Sequence, residues 1–316
     1  MFVGQTTGAI EAATLALMDL PALRDADDDL GFYYAMAGAT DAWRGGALYQ
    51  SADGVTYASV ASSDAPTAMG SATTALPSGP TTLHDDVNTV TVRLSYGTLA
   101  SVTRALSLNG ANAALLGDEI LTFDTATPLG GADWQLSGLL RGRKGTEWAV
   151  GSHVIGERFV LLDSGTIGRA LDPMSYLNVA LHYKAVSSGL TVAAAADHSF
   201  TDTGASLKPY SPVAIEGARD GSNNLTITWL RRARLYTEWT DGIDVPLDEP
   251  SEAYEVDILD GGGTVLRTIT GLGSPTASYS AAEQTTDFGA PQSSIDVAVY
   301  QLSSRVGRGF AGQATV

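Results

Sequence analysis

The sequence predicts a mainly β protein, and three observations support this prediction. The chain of 316 residues contains 35 glycines and only 17% charged residues, a composition typical of short strands joined by many turns. Its hydrophobic content of 44% is too high for a disordered chain. Helical periodicity is scarce, whereas short segments of alternating apolar and polar residues recur along the chain.

Charge and cysteine content exclude several classes of function. With 35 acidic and 18 basic residues the net charge is −17, so nucleic acids and anionic membranes are not expected as partners. The absence of cysteine excludes disulfides, thiolate metal sites and cysteine nucleophiles. No apolar run is long enough for a membrane span, and the first residues lack the positive charge of a signal peptide. We expect a separate gene product or a fragment of something longer.

The first half of the chain is predicted strand by strand. Residues 8–20 are Ala-rich but are interpreted as a strand that ends before Pro21. Residues 46–61 predict a hairpin around Asp53-Gly54. Residues 62–80, rich in turn formers, are predicted to be a long surface loop. Further strands are predicted at 88–95, 119–123, 133–140, 153–163 and 176–187.

The second half shows a separate pattern of about seven short strands. Leu225, Ile227 and Trp229 share one face of the segment 224–230. A strand is predicted at 253–260, and the run of three glycines after it predicts a turn that leads into the next strand. The remaining strands are predicted at 264–270, 276–280, 294–302 and 311–316. A buried Trp on an early strand within such a series is typical of a β-sandwich.

This half resembles a fibronectin type III domain in Trp229, Tyr254 and the terminal segment 299–312. It departs from that family in 231–252, a connection longer than a sandwich corner needs. The fold prediction is therefore a β-rich N-terminal region followed by a C-terminal fibronectin type III-like β-sandwich. Three regions are predicted: a β-rich domain at 1–165, connecting strands or a linker at 166–208, and the sandwich at 209–316.

Three motifs resemble ligand sites but favour a structural interpretation. The glycines of 307–312 match G-x-G-x-x-G, yet no helix follows to bind a pyrophosphate. Asp25, Asp27 and Asp29 lack the Gly and Glu positions of an EF-hand, so a solvated acidic loop is expected and a different cation site stays open. The single hairpin box at 51–57, close to that of sialidase-like propellers, is interpreted as a turn.

No arrangement of residues predicts catalysis or a cofactor. The four histidines are scattered, and neither H-E-x-x-H nor G-x-S-x-G occurs. His153 and Glu157 are four positions apart in a predicted strand, where alternation alone puts them on one face, so a structural polar pair is expected. No spacing among the 35 acidic residues singles out a pair for glycoside hydrolysis. We predict that the protein is not an enzyme.

The segment 137–153 concentrates the basic residues Arg141, Arg143 and Lys144 between glycines. A P-loop requires G-x-x-x-x-G-K-[ST] followed by a helix, and the order here differs. The pattern predicts a strand, a tight turn and another strand, with glycines at positive φ. The cations are expected to pair with the protein's own carboxylates or with a neighbouring subunit.

Aromatic residues outside the predicted cores are candidates for partner contact. Trp43 lies near a hairpin, and Tyr236 and Trp239 lie in the long acidic connection. Exposed Trp and Tyr are favoured anchors in protein and sugar recognition. These three residues, with Arg141, Arg143 and Lys144, are the predicted partner or receptor contacts.

A family resemblance runs through residues 108–163. The pattern consists of a Gly-Glu strand, a Trp-bearing strand and the motifs Leu-Leu-Arg-Gly, Gly-Thr-Glu, His-x-x-Gly and Phe-Val. In this sequence it is formed by Gly117, Glu119, Trp134, Leu139, Leu140, Arg141, Gly142, Gly145, Thr146, Glu147, His153, Gly156, Phe159 and Val160. This pattern resembles the C-terminal part of the large tail-tip "megatron" proteins of gene transfer agents and siphophages. The resemblance continues in 19–54, 205–234 and 254–267.

The resemblance implies a structural and host-recognition component of a tail tip, in a virion-like extracellular particle made in the bacterial cytoplasm. It implies other tail-tip proteins as partners, a homotrimer related to a baseplate hub, and contact with a host receptor or glycan. The family's hub and TIM-barrel-like domains are absent from this sequence. The alternative is a secreted or tail-associated carbohydrate-active protein that binds or depolymerises a polysaccharide.

Overall fold

The computed structural model describes residues 11–237 and 241–316. With 42% strand and 8% helix, the mainly β prediction is confirmed. The chain forms two compact units. The first contains Leu30–Thr203 together with the described residues 11–20, and the second contains Pro21–Asp29 and Gly204–Val316. Residues 166–203, predicted as part of a connection, thus belong to the first unit.

The first unit is built almost entirely from short strands. Its described elements are β1 (Thr14–Met18), β2 (Gly31–Ala37), β3 (Gly46–Ser51), β4 (Ala58–Ser63), β5 (Met69–Ala72), β6 (Val90–Tyr96), α1 (Arg104–Leu108), β7 (Ala113–Leu116), β8 (Glu119–Gly130), β9 (Asp133–Arg143), β10 (Arg158–Leu161), β11 (Gly168–Leu171), β12 (Ala180–Ser187) and β13 (His198–Thr201).

Strands β5 to β10 close into a six-stranded antiparallel barrel in the order β10-β5-β6-β9-β8-β7. Alternating residues point inward, as in β6, where Val90, Val92 and Leu94 are buried. The interior is apolar and includes Leu116, Leu121, Phe123, Leu136, Leu139 and Phe159. A closed barrel leaves no unpaired sheet edge, which explains why these short strands are stable.

Two open sheets complete the first unit, with the orders β1-β2-β11 and β13-β12-β3-β4. They share an apolar core that contains Phe32, Met36, Leu48 and Tyr183. The strand interpretation near the N-terminus is confirmed for β1, and residues 8–10 lie outside the described residues. The predicted hairpin is also confirmed, because β3 pairs with β4 and the Asp53 carboxylate accepts backbone N–H groups of its turn.

The prediction of a surface loop at 62–80 is wrong, because the segment contains the barrel strand β5. Met69 and Ala72 are buried, whereas Gly70 and Ser71 between them are half-buried. Gly70 permits this pairing, since a Cβ there would lie 2.0 Å from the carbonyl oxygen of Arg93 on β6. Small residues that indicate a turn in sequence here allow two strands to approach closely.

The second unit is a β-sandwich, as predicted. Its elements are β14 (Val213–Arg219), β15 (Leu225–Leu230), β16 (Tyr254–Leu259), β17 (Val265–Leu272), β18 (Thr276–Tyr279), α2 (Ala281–Phe288), β19 (Asp296–Ser303), β20 (Gly307–Arg308) and β21 (Gly312–Thr315). One sheet has the order β14-β15-β18, and the other has β17-β16-β19 with β20 and β21 beside β19. Both contribute to one apolar core around Trp229. The narrower fibronectin type III-like assignment stays a prediction.

Helix α2 was not predicted from the sequence. Ser280 caps it by accepting from the backbone N–H of Glu283, and the Glu283 carboxylate accepts from the backbone N–H of Ser280. This reciprocal arrangement is a capping box, and Gly289 ends the helix in the left-handed conformation. Within the described part of the chain, no helix is both long and apolar enough to cross a membrane.

Candidate functional site

One end of the barrel carries three connections. Strands β5, β7 and β9 end there, and β6, β8 and β10 begin there. The connections are therefore 73–89, 117–118 and 144–157. We call this side the cluster end, because its interior holds a group of charged side chains.

Arg141, near the end of β9, is the centre of this group, and its side chain is fully buried. Its guanidinium binds the carboxylate of Glu119 in a bidentate arrangement, with Nε 2.8 Å from Oε1 and Nη2 2.8 Å from Oε2. Nη1 also donates to Oδ2 of Asp85 at 3.3 Å. Both carboxylates are buried, so these are desolvated ion pairs.

The remaining donors of Arg141 bind backbone carbonyls of two connections. Nη1 donates to the carbonyl oxygen of Pro77 at 3.0 Å, and Nη2 to that of Val150 at 3.1 Å. Each of the five guanidinium N–H groups thus has an acceptor. The backbone N–H of Gly142 donates to Glu119 at 2.7 Å, which satisfies that carboxylate further. Arg141 therefore fixes the connections 73–89 and 144–157 to the barrel.

His153 extends the group through two further contacts. Its Nε2 lies 2.6 Å from Oε2 of Glu119, and its Nδ1 lies 2.8 Å from Oε1 of Glu157. A neutral imidazole donates from one nitrogen only, and ionised carboxylates only accept. The geometry therefore fits an imidazolium that donates from both nitrogens. We call Arg141, Glu119, Asp85, His153 and Glu157 the Arg141 cluster.

The pKa shifts agree with this charge assignment. Burial alone would lower the pKa of His153, but the hydrogen bond to Glu119 and the charge of Glu157 raise it above its ordinary value. Burial would raise the pKa of Glu119, but hydrogen bonds from His153 and Arg141 lower it overall. The pKa of Asp85 is also lowered, because bonds from Asn88 and the charge of Arg141 outweigh burial. The cluster thus combines two cations with the ionised carboxylates of Glu119 and Asp85.

The arrangement is suited to holding backbone in place and poorly suited to proton transfer. The His153 side chain is 1% exposed, and carboxylates occupy both of its nitrogens. A general base needs a nitrogen within reach of a substrate proton. The cluster therefore acts as a clamp on the connections at this end of the barrel.

The other acidic candidates have partners of their own. Asp27 accepts from Arg24 through both carboxylate oxygens, at 3.0 and 3.1 Å, and Asp25 accepts from the backbone N–H of Tyr236. Over the described ranges 11–237 and 241–316, no group of three or more His, Asp or Glu side chains is placed to hold a metal ion.

The predicted contact residues fall into different environments. Trp43 is buried in the core of the open sheets, where its indole N–H donates to Ser187 at 3.0 Å, so it is not a surface contact. Arg141 is buried too. It pairs with the protein's own carboxylates, which is the first of the two pairings expected from the sequence. Arg143, the last residue of β9, and Lys144, in the turn that follows, are exposed, and Tyr236 is 62% exposed. Trp239 lies outside the described residues.

His153 and Glu157 form the expected polar pair, but the predicted strand is wrong at these positions. Strand β10 begins at Arg158, and the pair lies in the preceding connection. Sequence reasoning did not assign a site role to Glu119 or Asp85. One signal was present at Glu119, where an acidic residue opens the apolar segment 119–123.

The fold and the cluster define a class: a mainly β protein in which a closed barrel, braced by buried ion pairs, shares a chain with a β-sandwich. Residues 67–160 match the family model described as "Rcc01698-like, C-terminal", a family name related to the gene transfer agent of Rhodobacter capsulatus. This match supports a protein related to gene transfer agents.

No curated protein matches the chain. Among solved structures, the chain is similar to the extracellular region of rat CD45, domains d3-d4. That match has 16% sequence identity and a TM-score of 0.25, and covers 43% of this chain and 62% of the CD45 chain. The chain thus spans less than two thirds of that structure, and the likeness carries no argument about function.

Proposed function

We propose that this protein is a structural and host-recognition component of the tail tip of a phage or gene transfer agent. One observation carries the proposal: the segment that matches the family model is the barrel itself. The match begins two positions before β5 and ends within β10, so it includes every member of the Arg141 cluster. The part of the chain with a family relationship is therefore also the part with buried ion pairs.

The cluster's chemistry supports the proposal of a non-catalytic role. Buried ion pairs add little net stability compared with apolar packing, but they fix orientation through directional bonds. Here they hold the backbone carbonyls of Pro77 and Val150. We infer that the barrel serves as a rigid scaffold in the particle.

The proposed partners are other tail-tip proteins, further copies of this chain in a homotrimer, and a host surface receptor or glycan. Arg143, Lys144 and Tyr236 are exposed and are the contact candidates among the described residues. The proposed location is the tip of an extracellular particle assembled in the bacterial cytoplasm.

Electron microscopy of particles labelled with an antibody against this protein tests the location. Label at one end of the tail is the expected result. Label on heads, along the tail, or only on free protein would overturn the proposal.

Binding of purified protein to host cells tests the recognition role. We expect Tyr236→Ala to weaken binding, because it removes an exposed aromatic side chain. Leu129→Ala is a matched control, since Leu129 is 54% exposed on the first unit. Equal binding by both variants would show that Tyr236 is not part of the surface that contacts the host cell. Release of sugars from host polysaccharide would favour the carbohydrate-active alternative.

A further inference from the structure

We propose that the cluster end of the barrel is a contact surface between copies of this chain. The inference names one partner within the proposed function and rests on that function only for its setting in a particle. Its evidence is a group of exposed apolar side chains, their rigid attachment and the local balance of charge.

Five large apolar side chains are exposed on the two long connections of the cluster end. Leu83 and Val87 are 70% and 87% exposed on one connection. Trp148, Val154 and Ile155 are 55%, 60% and 70% exposed on the other. We call these five residues the apolar rim. Several exposed apolar side chains at one end of a domain indicate an interaction surface more strongly than the same residues scattered singly.

The Arg141 cluster holds this rim in place. Leu83 and Val87 are each two positions from Asp85, which binds Arg141. Trp148 is two positions from Val150, whose carbonyl oxygen accepts from Arg141. Val154 directly follows His153 in the sequence.

Ile155, the fifth member of the rim, is two positions before Glu157, which binds His153. Every rim residue is therefore within two positions of an atom held by the cluster. Side chains ordered before binding lose less entropy on association, so a rigid rim is favourable for docking.

Charge identifies the occupant as a second copy. The chain carries a net charge of −17, so copies repel one another over most of their surface. Outside the buried cluster, the strand ends and connections of the cluster end carry three cations, Arg143, Lys144 and Arg158, and three anions, Asp86, Asp118 and Glu147.

This end of the barrel is thus close to neutral, and it is a place where two acidic copies can meet without net repulsion. A basic partner would instead favour the acidic remainder of the surface. Contacts of this kind form around a symmetry axis, where the same residues of each copy lie close together.

Light scattering of the full chain over a range of concentrations tests the contact. We expect association by the wild type, and for Ile155→Glu a dissociation constant raised about tenfold or more, because a charge would be buried against an apolar rim. Leu129→Glu is the matched control, since Leu129 is also an exposed apolar residue (54%) but lies beside the β8–β9 turn at the opposite end of the barrel. We expect the control to associate like the wild type.

Cross-linking gives a second measurement that does not depend on a disruptive charge. Because the chain has no cysteine, Ile155→Cys introduces a single thiol. Oxidation is expected to yield disulfide-linked pairs for Ile155→Cys and not for Leu129→Cys. A wild type that stays monomeric at all concentrations, or equal cross-linking of both variants, would overturn the proposal.

The outcomes separate this inference from the proposed function. A monomer that labels the tail tip and binds host cells would refute the rim contact and leave the tail-tip role intact. Association through the rim by a protein that is absent from particles would support the rim contact and refute the tail-tip role.

Discussion

The barrel and the sandwich solve the problem of a stable interior in different ways. The sandwich core is apolar and centres on Trp229 and Tyr254, whose rings meet edge to face at 5.2 Å. Its ion pairs are exposed at one partner or the other, since Arg308 is 37% exposed beside Asp257 and Asp28 is 45% exposed beside the buried Arg234. The barrel has an apolar core as well, but it buries Arg141 and its carboxylate partners completely at one end.

The difference follows from what each unit must hold in place. In the sandwich, the strands around the core are packed directly by their own side chains. In the barrel, the connections 73–89 and 144–157 contain no strand and expose apolar side chains. Directional bonds to carbonyl oxygens can fix such segments, which lack the continuous ladder of backbone hydrogen bonds that positions a strand. Buried charge is thus found where irregular backbone must be rigid.

The largest effect is expected for Arg141→Met. This variant leaves Glu119 and Asp85 buried without their main cation, and breaking a buried pair in this way typically costs about 3–5 kcal/mol. Hydrogen exchange of barrel amides under native conditions measures the loss, and the sandwich amides should keep their protection.

Arg93→Met is the matched control for this experiment. Arg93 pairs with Asp133 on the barrel surface, with its side chain 64% exposed, and such exposed pairs contribute little to stability. Equal losses for the two variants would show that burial of the ion pair has no special role.

A loss confined to the other unit is expected for Ile227→Ala. Ile227 is fully buried in the sandwich core, and removing such a side chain costs about 2–5 kcal/mol through lost burial and the cavity that remains. Hydrogen exchange should increase at amides of β15 and β16 and stay constant in the barrel. An equal increase in both units would mean that they unfold together, which would contradict the idea that the two interiors are stabilised separately.

A smaller, pH-dependent effect is expected from His153. Because its pKa is raised in the folded protein, its contribution is complete below its ordinary value of 6.5 and is lost as pH rises through the folded value. The lowered pKa of Glu119 makes its contribution complete above 4.5 and lost as pH falls through the folded value. Barrel stability should therefore be greatest between these ordinary values.

His153→Gln tests the alkaline side of that window. The variant should lose about 1.5–3 kcal/mol, the range for hydrogen bonds to charged groups, and should no longer lose stability as pH rises above 6.5. His182→Gln is the control, since the His182 pair with Asp197 is substantially exposed. An unchanged pH profile in His153→Gln would contradict the imidazolium assignment.

Local patterns in the sequence predicted the fold class and many strands. Alternation identified β6 and β15, and Asp53-Gly54 identified the hairpin between β3 and β4. Strand β5 was missed because Gly70 and its small neighbours resemble a loop until their pairing with β6 is known. Helix α2 was missed although Ser280 and Glu283 have the spacing of a capping box, a signal that sequence reasoning can use.

The cluster could not be predicted in the same way, because its members meet only in three dimensions. Arg141 and His153 were both noted in the sequence, yet Glu119 and Asp85 come from other elements of the barrel. No spacing rule connects residues that barrel closure brings together. The burial of Trp43 has the same origin, since its hydrogen-bond partner Ser187 is on β12, far along the chain.

Barrel closure also has a consequence for the rate at which the protein unfolds. The pairing of β7 with β10 joins segments separated by all of β8 and β9, and the Arg141 cluster can be completed only after those segments meet. Interactions that form late in folding are absent from the transition state, so they slow unfolding more than they speed folding. We therefore expect the cluster to provide kinetic stability, that is, a slow rate of unfolding, which would suit the extracellular particle proposed as its setting.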